Sequence, residues 1–123
     1  MVTDSGDLAR LAARAASSKQ GEATVILDVR ELLTITDYFV ITSGGSDRQV
    51  STLADEIMRT LREQGVRPVR EERDGGSQWI LLDYVDVVVH VFRDEEREYY
   101  RLENLWADAP RLEWDEEAKA SSG

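Results

Sequence analysis

The chain has 123 residues, no cysteine and a formal net charge of −10, from 25 Asp and Glu against 15 Lys and Arg. This length predicts one domain with its own hydrophobic core, and the lack of cysteine excludes disulfides, thiolate metal sites and thiol nucleophiles. An acidic surface repels phosphate backbones, so direct nucleic-acid binding is disfavoured, and the charge serves either solubility or a basic protein partner. Because no apolar run approaches the roughly 20 residues of a membrane span and residues 1–10 carry no export signal, we expect a cytoplasmic protein.

The hydropathy pattern predicts the order helix, two strands, helix, three strands, helix. The predicted elements are a helix at 5–20, strands at 23–29 and 38–42, a helix from its cap at 46 to 65, a strand at 66–70, two strands within 78–92, and a helix between 92 and 110. Neighbouring strands without a helix between them form antiparallel pairs. The expected fold class is therefore α/β, with a mixed sheet of about five strands covered by helices.

Several positions in the fold follow from composition. The helix at 5–20 is rich in alanine and only weakly apolar, so we expect it at the periphery of the domain. The strand at 23–29 is apolar enough for an inner position, whereas 71–77 is a charged, glycine-bearing loop. The domain is expected to span residues 1–110, followed by a polar, disordered tail over 111–123.

The second helix has the clearest boundaries. Ser46 is its expected N-cap and Gln49, three residues later, completes a capping box. An apolar stripe at helical spacing then faces the sheet, with members Val50, Leu53, Ala54, Ile57, Met58 and Leu61. Gly65 is expected just after the helix end, and Pro68 prevents its continuation.

The stretch from Gln78 to Phe92 is expected to form the centre of the sheet. Its second half is apolar in both alternation phases, which predicts a strand that is covered on both faces. A short acidic break from Asp83 to Asp86 separates the two apolar runs and lacks the Asn-Gly or Asp-Gly signature of a tight turn. A hairpin is the simplest connection, with its turn type left open.

Three features could carry chemistry, and each has a simpler structural interpretation. His90 could bind a metal or transfer protons, but in a valine-rich strand it is typical of a packed histidine with a satisfied ring. Asp83 and Asp86 could hold a divalent cation, or they could bound the connection between strands. The loop over 43–47 could bind an anion at a helix N-terminus or simply be a capped helix entry. Two alternative functions follow: a metal-dependent nucleotidyl transferase, which would use Asp47 with the other two aspartates, and a dimeric interaction protein with another partner.

Aromatic residues near the acidic break suggest a protein-binding surface. Strand alternation places Trp79, Leu81 and Asp83 on one face. Trp and Tyr are the residue types most often found as interface anchors, because they bury a large area and keep a polar tip. Trp79 and Tyr84 could serve as such anchors or could roof the core.

Three segments of the chain form a recognisable set: ITDYFVITSGGSDRQV at 35–50, WILLDYVDVVVHVF at 79–92 and REYYRLENLWAD at 97–108. In their order and spacing they resemble the ribosomal silencing factor family (RsfS, or iojap-like proteins). The resemblance implies a nucleotidyltransferase-like fold without catalytic residues, no cofactor and no enzymatic activity. The family usually has glycine where this chain has Val85, which argues against a tight glycine turn there.

The resemblance also implies a function by obstruction. Family members bind the large ribosomal subunit through its ribosomal protein fourteen, prevent the small subunit from joining, and lower translation when nutrients are limited. They are homodimers when free. Carried onto this sequence, the contact would use Trp79 and Tyr84 as aromatic anchors and Leu81 as apolar filling, with Asp83 and Asp86 facing basic side chains of the partner.

Overall fold

A computed structural model of the chain describes residues 4–74, 78–101, 104 and 106–114. Within this part the elements are α1 Ser5–Ser18, β1 Glu22–Asp28, β2 Tyr38–Gly44, α2 Asp47–Glu63, β3 Arg70–Asp74, β4 Trp79–Asp83, β5 Val87–Arg93 and α3 Asp94–Tyr100. Their order confirms the predicted α/β class with a mixed sheet. No helix in the described ranges combines the length and apolarity needed to cross a membrane.

The five strands form one sheet in the order β1-β2-β5-β4-β3, with β2 and β5 parallel and the other neighbours antiparallel. The central position predicted for β5 is confirmed. The inner position predicted for β1 is wrong, because β1 is the last strand of the sheet on its side. Its outer edge is nevertheless covered, because Asp28 N donates to Pro110 O at 2.7 Å and Leu112 N donates to Ile26 O at 3.0 Å. Ile26 and Leu27 are buried.

Both long helices pack on one face of the sheet. The peripheral position expected for α1 is wrong, because Ala9, Ala12 and Ala16 are fully buried against the sheet and α2. Alanine is only weakly apolar, but its small side chain lets two helices and a sheet approach closely. On the sheet this core contains the inward-facing valines of β5, Val87, Val89 and Val91.

The predicted N-cap of α2 at Ser46 is confirmed, whereas the reciprocal bond of the capping box reaches Gly45, one residue before the cap. Gln49 N donates to Ser46 Oγ at 3.1 Å, and the Gln49 side-chain oxygen accepts from Gly45 N at 2.9 Å. Beyond the other end of the helix, Gly65 has φ +81°, a backbone conformation in which glycine carries no Cβ penalty.

The position predicted for β3 is wrong by about four residues. The strand covers Arg70–Asp74 rather than 66–70, so most of the predicted charged loop is strand. Glu72 pairs with Leu81 of β4 in the register. Charged side chains are typical of an exposed edge strand, where they discourage pairing with other chains. Residues 75–77 of the predicted loop lie outside the described residues.

The last part of the chain differs from the expectation. Helix α3 ends at Tyr100 and Arg101 has φ +49°, so residues 94–109 do not form one continuous helix. Of the predicted shared face, Trp106 and Ala109 pack on the sheet face opposite α1 and α2. Leu102, Leu105 and the side chain of Tyr99 lie outside the described residues.

Residues 111–114 were assigned to the tail, but they lie against β1. Trp114 packs on the core beside α1 and its Nε1 donates to Thr24 O at 3.2 Å. Arg10 and Arg14 of α1 donate to the backbone oxygens of Glu113 and Trp114 at 3.1 and 3.0 Å. Residues 111–114 therefore pack on the domain and do not form part of a free tail, and 115–123 lies outside the described residues.

Candidate protein-interaction site

The sheet face opposite α1 and α2 carries most of the residues that the sequence singled out, and we call it the aromatic face. The strand registers place on it Val25, Leu27, Phe39, Ile41, Trp79, Leu81, Asp83, Val88, His90, Phe92, Glu72 and Arg70. The predicted alternation of Trp79, Leu81 and Asp83 on one face is confirmed. Here they are joined by side chains from all four other strands.

One half of the aromatic face is covered and the other is not. On the side of β1 and β2, Trp106 and Ala109 close over Leu27 and Ile41, which are buried. The Phe39 and Trp106 rings meet edge to face with their centroids 5.8 Å apart. Towards β4, the side chains of Trp79, Leu81 and Val88 remain only half-buried, so this half is accessible to a partner.

Ring contacts fix the orientation of Trp79. Its indole stacks on Phe92 with centroids 5.0 Å apart, and its Nε1 donates to His90 Nδ1 at 3.3 Å. Since Nδ1 accepts, the neutral imidazole of His90 carries its proton on Nε2. Burial lowers the pKa of His90 to about 4, so the ring stays uncharged at neutral pH. This confirms the packed histidine, with its Nδ1 hydrogen-bonded to Trp79.

Asp83 stabilises the connection between β4 and β5. Its Oδ1 accepts from Val85 N at 2.8 Å, and its Oδ2 lies 3.8 Å from the Arg70 guanidinium. The carboxylate is therefore engaged in turn chemistry, which favours the structural interpretation of this aspartate. Asp86 is exposed at the turn, where its backbone oxygen accepts from Asp37 N and Tyr38 N at 2.8 and 3.1 Å.

The predicted hairpin between β4 and β5 is confirmed, and its turn is tight despite the lack of glycine. Tyr84 N donates to Val87 O at 2.8 Å, and Asp86 N donates to Tyr84 O at 3.0 Å across Val85. Val85 has φ +73°, so the three-residue turn is the rare, strained form of γ-turn. The connection is therefore tight although Val85 stands where the family usually has glycine, and the chain accepts backbone strain at this position.

Tyr84 does not join the aromatic face. It is only 6% exposed and belongs to the core beneath the helices, on the opposite side of the sheet from Trp79. Burial raises the pKa of its phenol to about 12, and its oxygen has no hydrogen-bond partner among the described residues. The assignment of Tyr84 as an exposed anchor is corrected accordingly: it roofs the core.

The carboxylates of the transferase alternative do not converge. Asp47 begins α2 and pairs with Arg93 at 3.1 Å, beside the C-terminal end of β5. Asp83 and Asp86 lie at the other end of this seven-residue strand, about 20 Å away at the usual rise per residue. In the described ranges, no three His, Asp or Glu side chains gather as a metal site would require.

The loop before α2 is built as a helix entry. Gly44 lies so close to Gln49 that an added Cβ would be 3.1 Å from its side chain. Arg97 of α3 donates to Ser43 Oγ at 3.2 Å, so α3 contacts this loop. The nearby Asp94 carboxylate raises the pKa of Glu22, as expected when two negative groups approach.

Sequence reasoning missed Phe39, Val88 and Trp106 as members of the aromatic face. The alternation of Val88 with His90 and Phe92 was visible in the sequence. The parallel pairing of β5 with β2 was not, although it brings Phe39 beside Val88. Such long-range pairing has no local signature.

Comparison with known proteins supplies the family. The family model described as "Ribosomal silencing factor during starvation" matches residues 2–123. The chain belongs to the ribosomal silencing factor family. This confirms the resemblance drawn from the three segments, and it supports a role in translation regulation and an association with ribosomes.

Relatives and solved structures agree over most of the chain. Ribosomal silencing factor RsfS of Halalkalibacterium halodurans is 42% identical over 107 residues, which is 87% of this chain and 92% of the relative. A crystal structure of a Chromobacterium violaceum protein matches with a TM-score of 0.82 and 33% identity, covering 85% of this chain and 88% of the other. "Mitochondrial assembly of ribosomal large subunit protein 1" of Mus musculus is 31% identical over 84 residues, 66% of this chain and 37% of the relative. The nucleotidyltransferase-like character of the fold stays a prediction.

Proposed function

We propose that this chain silences the ribosome in the cytoplasm by binding the large subunit and occupying the surface that the small subunit must meet. The direct partner would be ribosomal protein fourteen, and the effect would be lower translation when nutrients are limited. The protein would act by obstruction, without turnover of a substrate or a cofactor. In its free form it would be a homodimer, which equilibrium sedimentation of the purified chain would test.

The observation that carries this proposal is the accessible half of the aromatic face. Trp79 and Leu81 lie side by side there, partly exposed, on a strand inside the sheet. Stacking on Phe92 and the hydrogen bond to His90 hold the indole in one orientation before any partner arrives. A side chain that is already ordered loses little conformational entropy on binding, which suits an interface anchor.

Charge supports a basic protein as the partner. The chain carries a formal net charge of −10, and the exposed carboxylate of Asp86 stands at the hairpin beside the aromatic face. Such a surface attracts a basic ribosomal protein and is repelled by RNA phosphates. Asp83 would contribute indirectly, since it orients the turn. The large subunit is also the partner indicated by the name of the Mus musculus relative.

A matched pair of leucines tests the surface. Leu81 lies on the aromatic face, whereas Leu11 of α1 is similarly half-buried on the helical side. Each would be replaced by alanine, and binding to purified large subunits would be measured by co-sedimentation. Leu81→Ala and Trp79→Ala should weaken binding, with the tryptophan costing about 2 kcal/mol, whereas Leu11→Ala should lower only the stability of the fold. Equal binding by all three variants would contradict the assignment of this surface.

A further inference from the structure

A groove of about 500 Å³ lies beside the accessible half of the aromatic face, between β3 and β4. Glu72 and Arg73 line it from β3, and Trp79 and Leu81 line it from β4. In the strand register Glu72 is directly opposite Leu81, so its side chain rises from the aromatic face. The groove is open to solvent at the edge of the sheet.

The two charged residues of the groove differ in their partners. The Arg73 guanidinium is engaged on the helical side, 2.6 Å from Glu71, 3.4 Å from Asp55 and 3.2 Å from Ser51 Oγ. Its positive charge is thus balanced within the protein. Glu72 is exposed and forms no ion pair with any residue that the structure describes. The charge that the groove presents to a partner is therefore negative.

The remaining lining suits a long cationic side chain. Phe92 stacks on the Trp79 indole from the side of β5, so the groove lies on the side of β3. An aromatic ring next to a carboxylate attracts a guanidinium, which can stack on the ring while the carboxylate accepts its hydrogen bonds. Leu81 supplies an apolar surface for the methylene stem of such a side chain.

We propose that this groove binds a cationic side chain, with arginine as the best fit, from a basic partner protein. The proposal rests on the proposed function, since the partner is the protein component of the large subunit. Under this proposal Glu72 recognises the partner. Neither its position on an edge strand nor its place in a charged segment predicts that role. The negative charge also selects against an RNA phosphate in the same place.

Charge variants of Glu72 test the proposal. Glu72→Gln and Glu72→Lys would be compared with the unaltered chain for binding to purified large subunits, at several salt concentrations. Glu63→Gln on the exposed side of α2 is the matched control, because it removes the same charge far from the groove. We expect about tenfold weaker binding for Glu72→Gln, a larger loss for Glu72→Lys, and no change for Glu63→Gln.

The outcomes separate the two proposals. Unaltered binding by Glu72→Gln would overturn the cation site and leave the proposed function intact. Tighter binding by Glu72→Lys would also overturn it, because the groove would then face phosphate. Failure of the unaltered chain to bind large subunits would overturn both proposals. Urea unfolding of each variant would confirm that the edge strand still folds, as its exposed position predicts.

Discussion

The Val85→Gly variant should be more stable than the Val85→Ala variant. Val85 has φ +73°, and the hydrogen bond from Asp86 N to Tyr84 O at 3.0 Å closes a turn around it. A Cβ in the left-handed region costs about 1–2 kcal/mol, whereas glycine loses about 0.4–1 kcal/mol through the greater freedom of the unfolded chain. Because the side chain is 52% exposed, both truncations remove the same modest burial. The glycine variant should therefore be more stable by about 1 kcal/mol.

Urea unfolding followed by circular dichroism would measure this difference, and in a domain of this length about 1 kcal/mol corresponds to about 4 °C in melting temperature. The same two substitutions at Asp55, exposed in the middle of α2, provide the control. There alanine should be more stable than glycine by about 1 kcal/mol, as in any helix interior. If alanine were also the more stable substitution at Val85, the strained turn would be refuted.

Three further predictions concern the core and its edge. Trp114→Ala should cost about 2 kcal/mol in unfolding free energy, because the half-buried indole ties residues 110–114 to β1; an unchanged value would contradict that packing. Tyr84→Phe should change neither stability nor binding to large subunits by more than about 0.5 kcal/mol, since the phenol oxygen has no partner among the described residues; a loss above about 1 kcal/mol would show that the hydroxyl contributes. The native pKa of His90 is about 4, below its ordinary value, so the unfolded chain binds a proton that the native state does not, and stability should fall as the pH drops from about 6.5 towards 4. Between pH 7 and 5 a His90→Gln variant should lose about 2 kcal/mol less than the unaltered chain, and parallel losses would contradict the buried neutral ring.

The elements that could be predicted are those with local determinants. The cap at Ser46 and the apolar stripe of α2 lie within one helix, and the central position of β5 follows from its apolar residues in both phases. The strand β1 was misplaced because its edge is covered by residues 110–112, far away in sequence. The position predicted for β3 is too early in the chain, because the residues that form the strand are charged and carry no apolar alternation.

The candidate site was predicted only in part, for a similar reason. Period-two alternation places Trp79 and Leu81 together, since that rule holds within a strand. The same rule places Tyr84 on the opposite face with Ile80 and Leu82, where the structure buries it. The anchor role expected for Tyr84 came from the family resemblance and not from alternation. The sequence predicts Glu72 only as a charged residue of a loop, because its place near Trp79 depends on the long-range pairing of β3 with β4.

Subunit joining in a purified system tests the central claim most directly. Large and small ribosomal subunits would be mixed under conditions that favour association, with and without a saturating amount of this protein, and assembly followed by light scattering. The account predicts that the two subunits stay apart when the protein is present, and that Trp79→Ala restores much of their association. Normal assembly of complete ribosomes with the unaltered protein at saturation would contradict it.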